Sequence, residues 1–296
     1  MTKPAPAVVR ATEILDYLAG RPTLPLSMTE IAEAVGVNPA STLAILQALT
    51  EAGYVVRHPR HKTYSIGPSM LITGHAARVR YEIADAVDTE VRNLATQFGT
   101  ACTASMIAGE DVAVIASHGR SPAGASYQVG QRIRHSAPAG LVFMAWASDG
   151  EVRRWLLRAT PMITDELWDA MQAMLAGIRE QGYFASVQSD RVDKFYLQLG
   201  ETARRGTVDE RLDTIQSMLA SLLARMGEPI DFSAPRRIGF LGAPVFGSDG
   251  EVAVMLSVLG TPARLTEAQV ADAGNRLRFS ADHITSITHG RQGANA

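Results

Sequence analysis

The chain has one cysteine, Cys102, in 296 residues. A single thiol excludes an internal disulfide and any cysteine-based zinc motif. There is no run of about 18 apolar residues, so no transmembrane helix is expected. The start, MTKPAPAVVR, has no apolar h-region, and no signal peptide is expected. The P-loop, GxSxG, HExxH and βαβ-embedded GxGxxG patterns are all missing. Strong charge is missing too: the net charge is −2. Up to Ile66 there are six Lys/Arg against five Asp/Glu, and beyond it 22 against 25. Any affinity for nucleic acid must therefore come from local clustering of charge. What is present is ordinary for a globular protein, with 46% hydrophobic and 20% charged residues and length enough for two domains. The expectation is a cytoplasmic protein without cofactor or metal.

The stretch from Leu26 to Met70 carries the clearest local signals. Ser27 and Glu30 form a capping box, with Leu26 and Ile31 as its hydrophobic staple. Ile31, Ala32 and Val35 give that helix an apolar side, and Gly36 ends it. Asn38-Pro39 restarts a helix that runs to about Ala52, since Asn is a good N-cap and Pro is tolerated at N1. Tyr54 to Val56 and Thr63 to Ile66 read as two strands around a polar tip. Helix, turn, helix and hairpin make a winged helix-turn-helix, whose chemistry is DNA binding. On the second helix Thr42, Ile45, Leu46 and Leu49 share the inward face. Ala40, Ala44, Gln47 and Glu51 share the outward one, with Ser41 at its edge. Gln47 can offer an amide to adenine, and Ala40 and Ala44 can touch thymine methyls. The candidate DNA-binding residues are Asn38, Ala40, Ser41, Ala44 and Gln47 on the helix, with Arg57, Arg60, His61 and Lys62 on the tip. The tip carries three fixed positive charges in six residues, which suits phosphate.

Before this unit, residues 1–6 hold two prolines and are expected to be disordered, followed by a helix from Val8 to Leu18. Its apolar residues are Val8, Ala11, Ile14, Leu15 and Leu18. After the unit come helices from Pro68 to about Arg80 and from Ile83 to Phe98, the second with Ile83, Val87, Val91, Leu94 and Phe98 on one face. From Thr100 the period becomes strand-like. Ala101 to Ile107 and Val112 to Ser117 form a hairpin. Gly119 to Ser126 reads as a flexible segment. Val129 to Gly140 leads into a helix from Leu141 to Ala147, with further helices at 150–158 and 164–181. Strands follow at 237–246 and 252–258. Thr266 and Gln269 form another capping box, with Leu265 and Val270 as staple, opening a last helix to about Ile287. Residues 289–296 should fray. Strands, helices, strands and a helix indicate an α+β domain on an antiparallel sheet.

On these residues the chain resembles the IclR family of transcriptional regulators. The resemblance rests on Thr29-Glu30-Ile31-Ala32, Ser41-Thr42, Leu49, Gly53-Tyr54-Val55 and Tyr64-Ser65-Ile66-Gly67 in the winged half. Further along it rests on the Gly130–Gly140 region, Gly182-Tyr183, Ala243-Pro244-Val245-Phe246 and Met255-Leu256-Ser257-Val258. It spans about 7–183 and 237–288. It implies a winged domain over 1–67, a linker helix over 68–81 and a GAF-like effector-binding domain over 82–296. The chain departs from the family in three places. Ala44 stands where the family usually has an arginine, Leu141 where a lysine is usual, and 184–236 is longer than the usual connection. That stretch reads as two extra helices. One contains Val192, Phe195, Tyr196 and Leu199; the other opens at Thr207/Glu210 and carries Leu212, Ile215, Leu219, Leu222 and Met226.

The implied function is a homo-oligomeric regulator, dimer or tetramer, that binds a pseudo-palindromic operator in double-stranded DNA and responds to a small organic effector. The candidate effector residues are His135, Ser136, Ala139, Gly140, Ala243 and Ser257. A carboxylate would suit a helix start at Ala139-Gly140. No catalytic residues are expected. Cys102 with His118 or His135 could suggest a nucleophile pair, but Cys is more often a small buried hydrophobe. The alternatives are a small-molecule enzyme fused to a winged module, and an interaction scaffold with a degenerate winged domain.

Overall fold

The computed structural model describes residues 5–80, 83–121, 127–160, 162–188 and 230–292. It separates into two compact units, one running to residue 82 and one starting at Ile83.

The first unit opens with α1 (Pro6–Ala19). Pro6 is the first helical residue rather than part of a disordered tail, since N1 needs no N–H. Ile14 and Leu18 are buried, but Val8 is exposed, so the buried stripe is shorter than its periodicity suggested. Next come β1 (Leu26–Ser27), α2 (Met28–Val35), α3 (Pro39–Glu51), β2 (Val55–Arg57), β3 (Thr63–Ile66) and α4 (Ser69–Arg80). β1 was not foreseen: it pairs antiparallel with β3, placing Leu26 opposite Tyr64 in a sheet ordered β1-β3-β2. The Ser27 capping box forms, and the Ser27 hydroxyl and amide hold the Glu30 carboxyl below its usual range. Gly36 closes α2 at φ 64°. Ile14, Leu18, Leu26, Ile31, Leu46, Val55 and Tyr64 form this unit's core.

The second unit contains α5 (Ile83–Phe98), β4 (Ala101–Ala108), β5 (Asp111–His118), β6 (Arg132–Arg134), α6 (Leu141–Met144), α7 (Asp149–Leu157), α8 (Asp165–Gln181), β7 (Phe184–Val187), β8 (Ile238–Phe246), β9 (Val252–Leu259) and α9 (Glu267–Ile287). Among the described residues it holds one six-stranded antiparallel sheet, ordered β6-β5-β4-β9-β8-β7. Both faces are covered. Val87, Val91 and Leu94 of α5 and Leu277, Ala281 and Ile284 of α9 pack on one face with Ala104, Ala243, Leu256 and Val258. Val142, Trp155, Met171 and Leu175 pack on the other with Val112 and Met255. This is the expected α+β architecture.

Three boundaries differ from expectation. The helix expected over 141–147 is a single turn. Phe184–Val187, at the head of the stretch read as extra helices, is an edge strand on β8; the helical readings at 192–199 and 207–226 lie outside the described residues. The expected fray at 289 is stayed by Gly290 N donating to Thr285 O and Arg291 N to Gly247 O.

Candidate DNA-binding helix and effector face

α3 is built to leave one side bare. The Asn38 side-chain oxygen accepts from Ser41 N at 2.9 Å, so Asn38 caps the helix rather than pointing a free amide oxygen outward. Thr42 is buried, its hydroxyl donating to Asn38 O at 3.1 Å, and Leu46 is buried below it. Ala40, Ala44, Gln47 and Glu51 are all exposed, as the helical period required, and Ser41 is half-buried. The Gln47 amide nitrogen donates to Glu51 Oε1 at 3.1 Å. Leu43, one turn before Gln47, is 48% exposed, an apolar contact that sequence reasoning missed.

The tip between β2 and β3 is an ordered turn. His58 N donates to Thr63 O at 2.7 Å and Lys62 N to His58 O at 2.9 Å. His58 Nδ1 accepts from Arg60 N and His61 N, and the His58 and His61 rings lie 4.6 Å apart. Arg57 sits over the Tyr64 ring at 5.9 Å. Arg57, Arg60, His61 and Lys62 are exposed, and Lys62 holds φ 53°. Three cations are thus held on one short turn.

In the second unit, side-chain alternation decides which residues share a face. On β9, Val254, Leu256 and Val258 join the core under α5 and α9, whereas Met255 joins the core under α6 to α8. Ser257, in phase with Met255, therefore faces the α6–α8 side. Directly opposed residues on antiparallel strands point the same way. Ser257 is opposite Thr103 and Gly242, Thr103 is opposite Ser117, and Gly242 is opposite Phe184. One rank across five strands is thus Ser117, Thr103, Ser257, Gly242 and Phe184. Ser105 lies opposite Met255 on the same face. Thr103 and Ser105 were legible in principle, alternating with Cys102 and Ala104, but their pairing with Ser257 was not.

Ala243 does not belong to this group. It is buried with Val91, Leu256 and Leu277 on the opposite face, because it alternates with Gly242 along β8. Ala243, expected among the effector residues, thus faces away from Ser257.

His135 does belong. It follows β6, is buried, and meets Phe143 edge-on at 6.3 Å. A Cβ at Gly140 would lie 2.5 Å from its Cδ2 and 3.2 Å from Val112 Cγ2, so ring and glycine are in contact. The loop is fixed from behind. Arg158 Nη1 donates to His135 O at 2.9 Å, Trp155 Nε1 to Ala139 O at 2.9 Å, and Arg179 Nη1 to Ala145 O at 2.8 Å. Burial, with Arg158 adding to it, pushes the His135 imidazole down to about 4. It is neutral at physiological pH. Ser136 is half-buried beside it, and Ala139 is buried. The expected anion-attracting helix start is not formed. α6 has one turn, Leu141 N donates to Pro138 O, and a single turn carries little aligned dipole.

His135 Nε2, Ser257 Oγ and Trp146 Nε1 are buried polar atoms without a hydrogen-bond partner among the described residues. An unpaired buried polar group costs roughly 1–3 kcal/mol, so such groups call for an explanation. Cys102 explains nothing catalytic: burial pushes its thiol up to about 12, and His118, opposite it, pairs with Asp88 at 3.0 Å.

Residues 7–59 match the IclR helix-turn-helix domain. The chain is 27% identical over 184 residues to the HTH-type transcriptional regulator XynR of Escherichia coli (strain K12), covering 60% of this chain and 72% of that protein. In fold it is similar to an IclR transcriptional regulator from Alicyclobacillus acidocaldarius, with TM-score 0.65 and 23% identity over 97% of this chain and 100% of that one. It is also similar to an IclR homolog from Microbacterium hydrocarbonoxydans solved with 4-hydroxybenzoate, with TM-score 0.60 and 13% identity over 95% and 99% of the two chains. A helix-turn-helix unit that matches the IclR helix-turn-helix domain, followed by an antiparallel-sheet unit, makes the chain similar to IclR-family transcriptional regulators in its first unit and in its fold.

Proposed function

We propose that α3 is the reading helix, that Arg57, Arg60, His61 and Lys62 hold phosphate, and that the α6–α8 face of the second sheet takes the effector. The DNA assignment is carried by one observation: the outward side of α3 is wholly exposed although every inward residue is packed. Gln47 offers adenine an amide, while Ala40, Leu43 and Ala44 meet thymine methyls. With alanine at 44, attraction to the backbone falls to the wing tip. The effector assignment is carried by two buried atoms without a partner among the described residues, His135 Nε2 and Ser257 Oγ, on the same side of one sheet. Thr103, Ser105, Ser117 and Ser136 add hydroxyls there. A neutral imidazole and hydroxyls suit a small organic molecule with hydrogen-bonding groups, and a small carboxylate such as 4-hydroxybenzoate fits that description.

The protein acts in the cytoplasm as a homo-oligomer on a pseudo-palindromic operator. Leu71 and Ile72 on α4 are 78% and 74% exposed, an apolar pair suited to a second copy. Sedimentation at micromolar concentration should give at least twice the 31.7 kDa of one chain. A single-chain species would refute the oligomer. Genomic-fragment selection followed by sequencing should recover an operator, and a panel of small carboxylates should shift its affinity. Recovery of no sequence-specific fragment at low salt would overturn the DNA-reading role.

A further inference from the structure

Glu51 is an odd residue for its place. It is the last residue of α3, where an acidic side chain opposes the helix dipole. On a helix that meets DNA it also repels phosphate. Neither helix stability nor non-specific affinity accounts for it. Its hydrogen bond is to Gln47, one turn back, at 3.1 Å. No neighbour on α3 competes for that amide: Leu43 and Ala44 are apolar, and the Thr50 hydroxyl donates to Leu46 O at 2.6 Å.

We propose that Glu51 is the positioning residue for base reading by Gln47, an inference that rests on α3 being the reading helix. An ionised carboxylate only accepts hydrogen bonds. The nitrogen of the Gln47 amide must then face Glu51, and the oxygen must face away. An unrestrained glutamine amide can present its two ends in either order. Glu51 selects one. Gln47 keeps its oxygen for an adenine N6 amine and its second N–H for adenine N7, in a fixed sense along the groove. The cost is repulsion of the backbone, which the cations of the wing tip offset.

The test uses the full chain, the selected operator, and versions of that operator carrying each base at every position. Gln47→Ala should reduce the preference at one position by roughly 5- to 100-fold. Glu51→Ala should reduce the preference at that same position by roughly 3- to 10-fold, since it removes one charge-assisted hydrogen bond at a partly solvated site. It should also raise affinity for scrambled DNA. Glu51→Gln keeps an acceptor carbonyl and loses the charge. It should raise scrambled-DNA affinity as Glu51→Ala does, yet keep most of the preference. The proposal is overturned if both Glu51 variants keep the full preference, leaving Glu51 a mere repelling charge, or if both lose it equally. It is also overturned if Glu51→Ala alters a position that Gln47→Ala does not. If Gln47→Ala changes no position, the reading-helix assignment itself has failed, and the proposal with it.

Discussion

Gly140→Ala tests the packing that holds the loop from His135 to Gly140. Gly140 has φ 83°, and its missing Cβ would sit 2.5 Å from His135 Cδ2 and 2.8 Å from His135 Nε2. Two separable costs arise. The left-handed backbone costs an L-residue roughly 1–2 kcal/mol. The overlap with a buried ring adds roughly 1–3 kcal/mol, because Phe143 meets the ring edge-on and restricts where it can go. A total of about 3 kcal/mol should lower the melting temperature of this unit by roughly 6–12 °C. The chain's three tryptophans, Trp146, Trp155 and Trp168, all lie in the second unit, so their emission reports its unfolding alone. His135→Ala in the same background removes the overlap but not the backbone cost. The double variant should therefore recover roughly 1–3 kcal/mol against the sum of the two single losses. Additive losses, or a Gly140→Ala protein that melts like the parent, would refute the contact between ring and glycine.

Four further outcomes are expected. Arg60→Ala and Lys62→Ala should weaken operator and scrambled DNA alike, each reducing the slope of log affinity against log salt by roughly 0.9 per lost phosphate contact; Gln47→Ala should leave that slope unchanged. Lys62→Gly should preserve the tip, because φ 53° suits glycine, and so lose charge without the strain that alanine retains; titration over several salt concentrations with a melt on each variant checks both. His135 titrates near 4 when folded and near its ordinary 6.5 when unfolded. The unfolded chain therefore binds the extra proton between those values. The penalty is zero above 6.5 and grows as pH falls towards 4, on the order of 3 kcal/mol in full. His135→Gln should flatten that part of the stability profile, and an unchanged acid limb would contradict the burial of the ring. Ser257→Ala should leave the protein as stable or more stable by up to about 1 kcal/mol when no effector is added, since it deletes a buried hydroxyl without a partner among the described residues. It should weaken the response to any effector that shifts operator affinity; a large loss of stability would show the hydroxyl already has a partner.

Local signals determined the winged unit. Capping boxes, a left-handed glycine and a Pro at N1 act within a few residues, so Ser27, Gly36 and Asn38 could be read directly from their neighbours. The outward face of α3 followed from helical period alone, and Ala40, Ala44, Gln47 and Glu51 are exposed accordingly. β1 escaped because two residues carry no periodicity; only the pairing of Leu26 with Tyr64 makes them a strand. Leu43 was passed over because apolar residues are expected inside, and its exposure depends on what α3 packs against. The candidate effector face was only half legible. His135, Gly140 and Ser257 were named from motif positions, but which side of the sheet each faced was a matter of register between strands about 140–160 residues apart in the chain. That register sends Ala243 to the α5–α9 core and gathers Thr103, Ser105 and Ser117 beside Ser257. Burial likewise decided the chemistry: the sequence offers a histidine, and burial beside Phe143 and Arg158 pushes its imidazole down to about 4 and leaves Nε2 without a partner among the described residues.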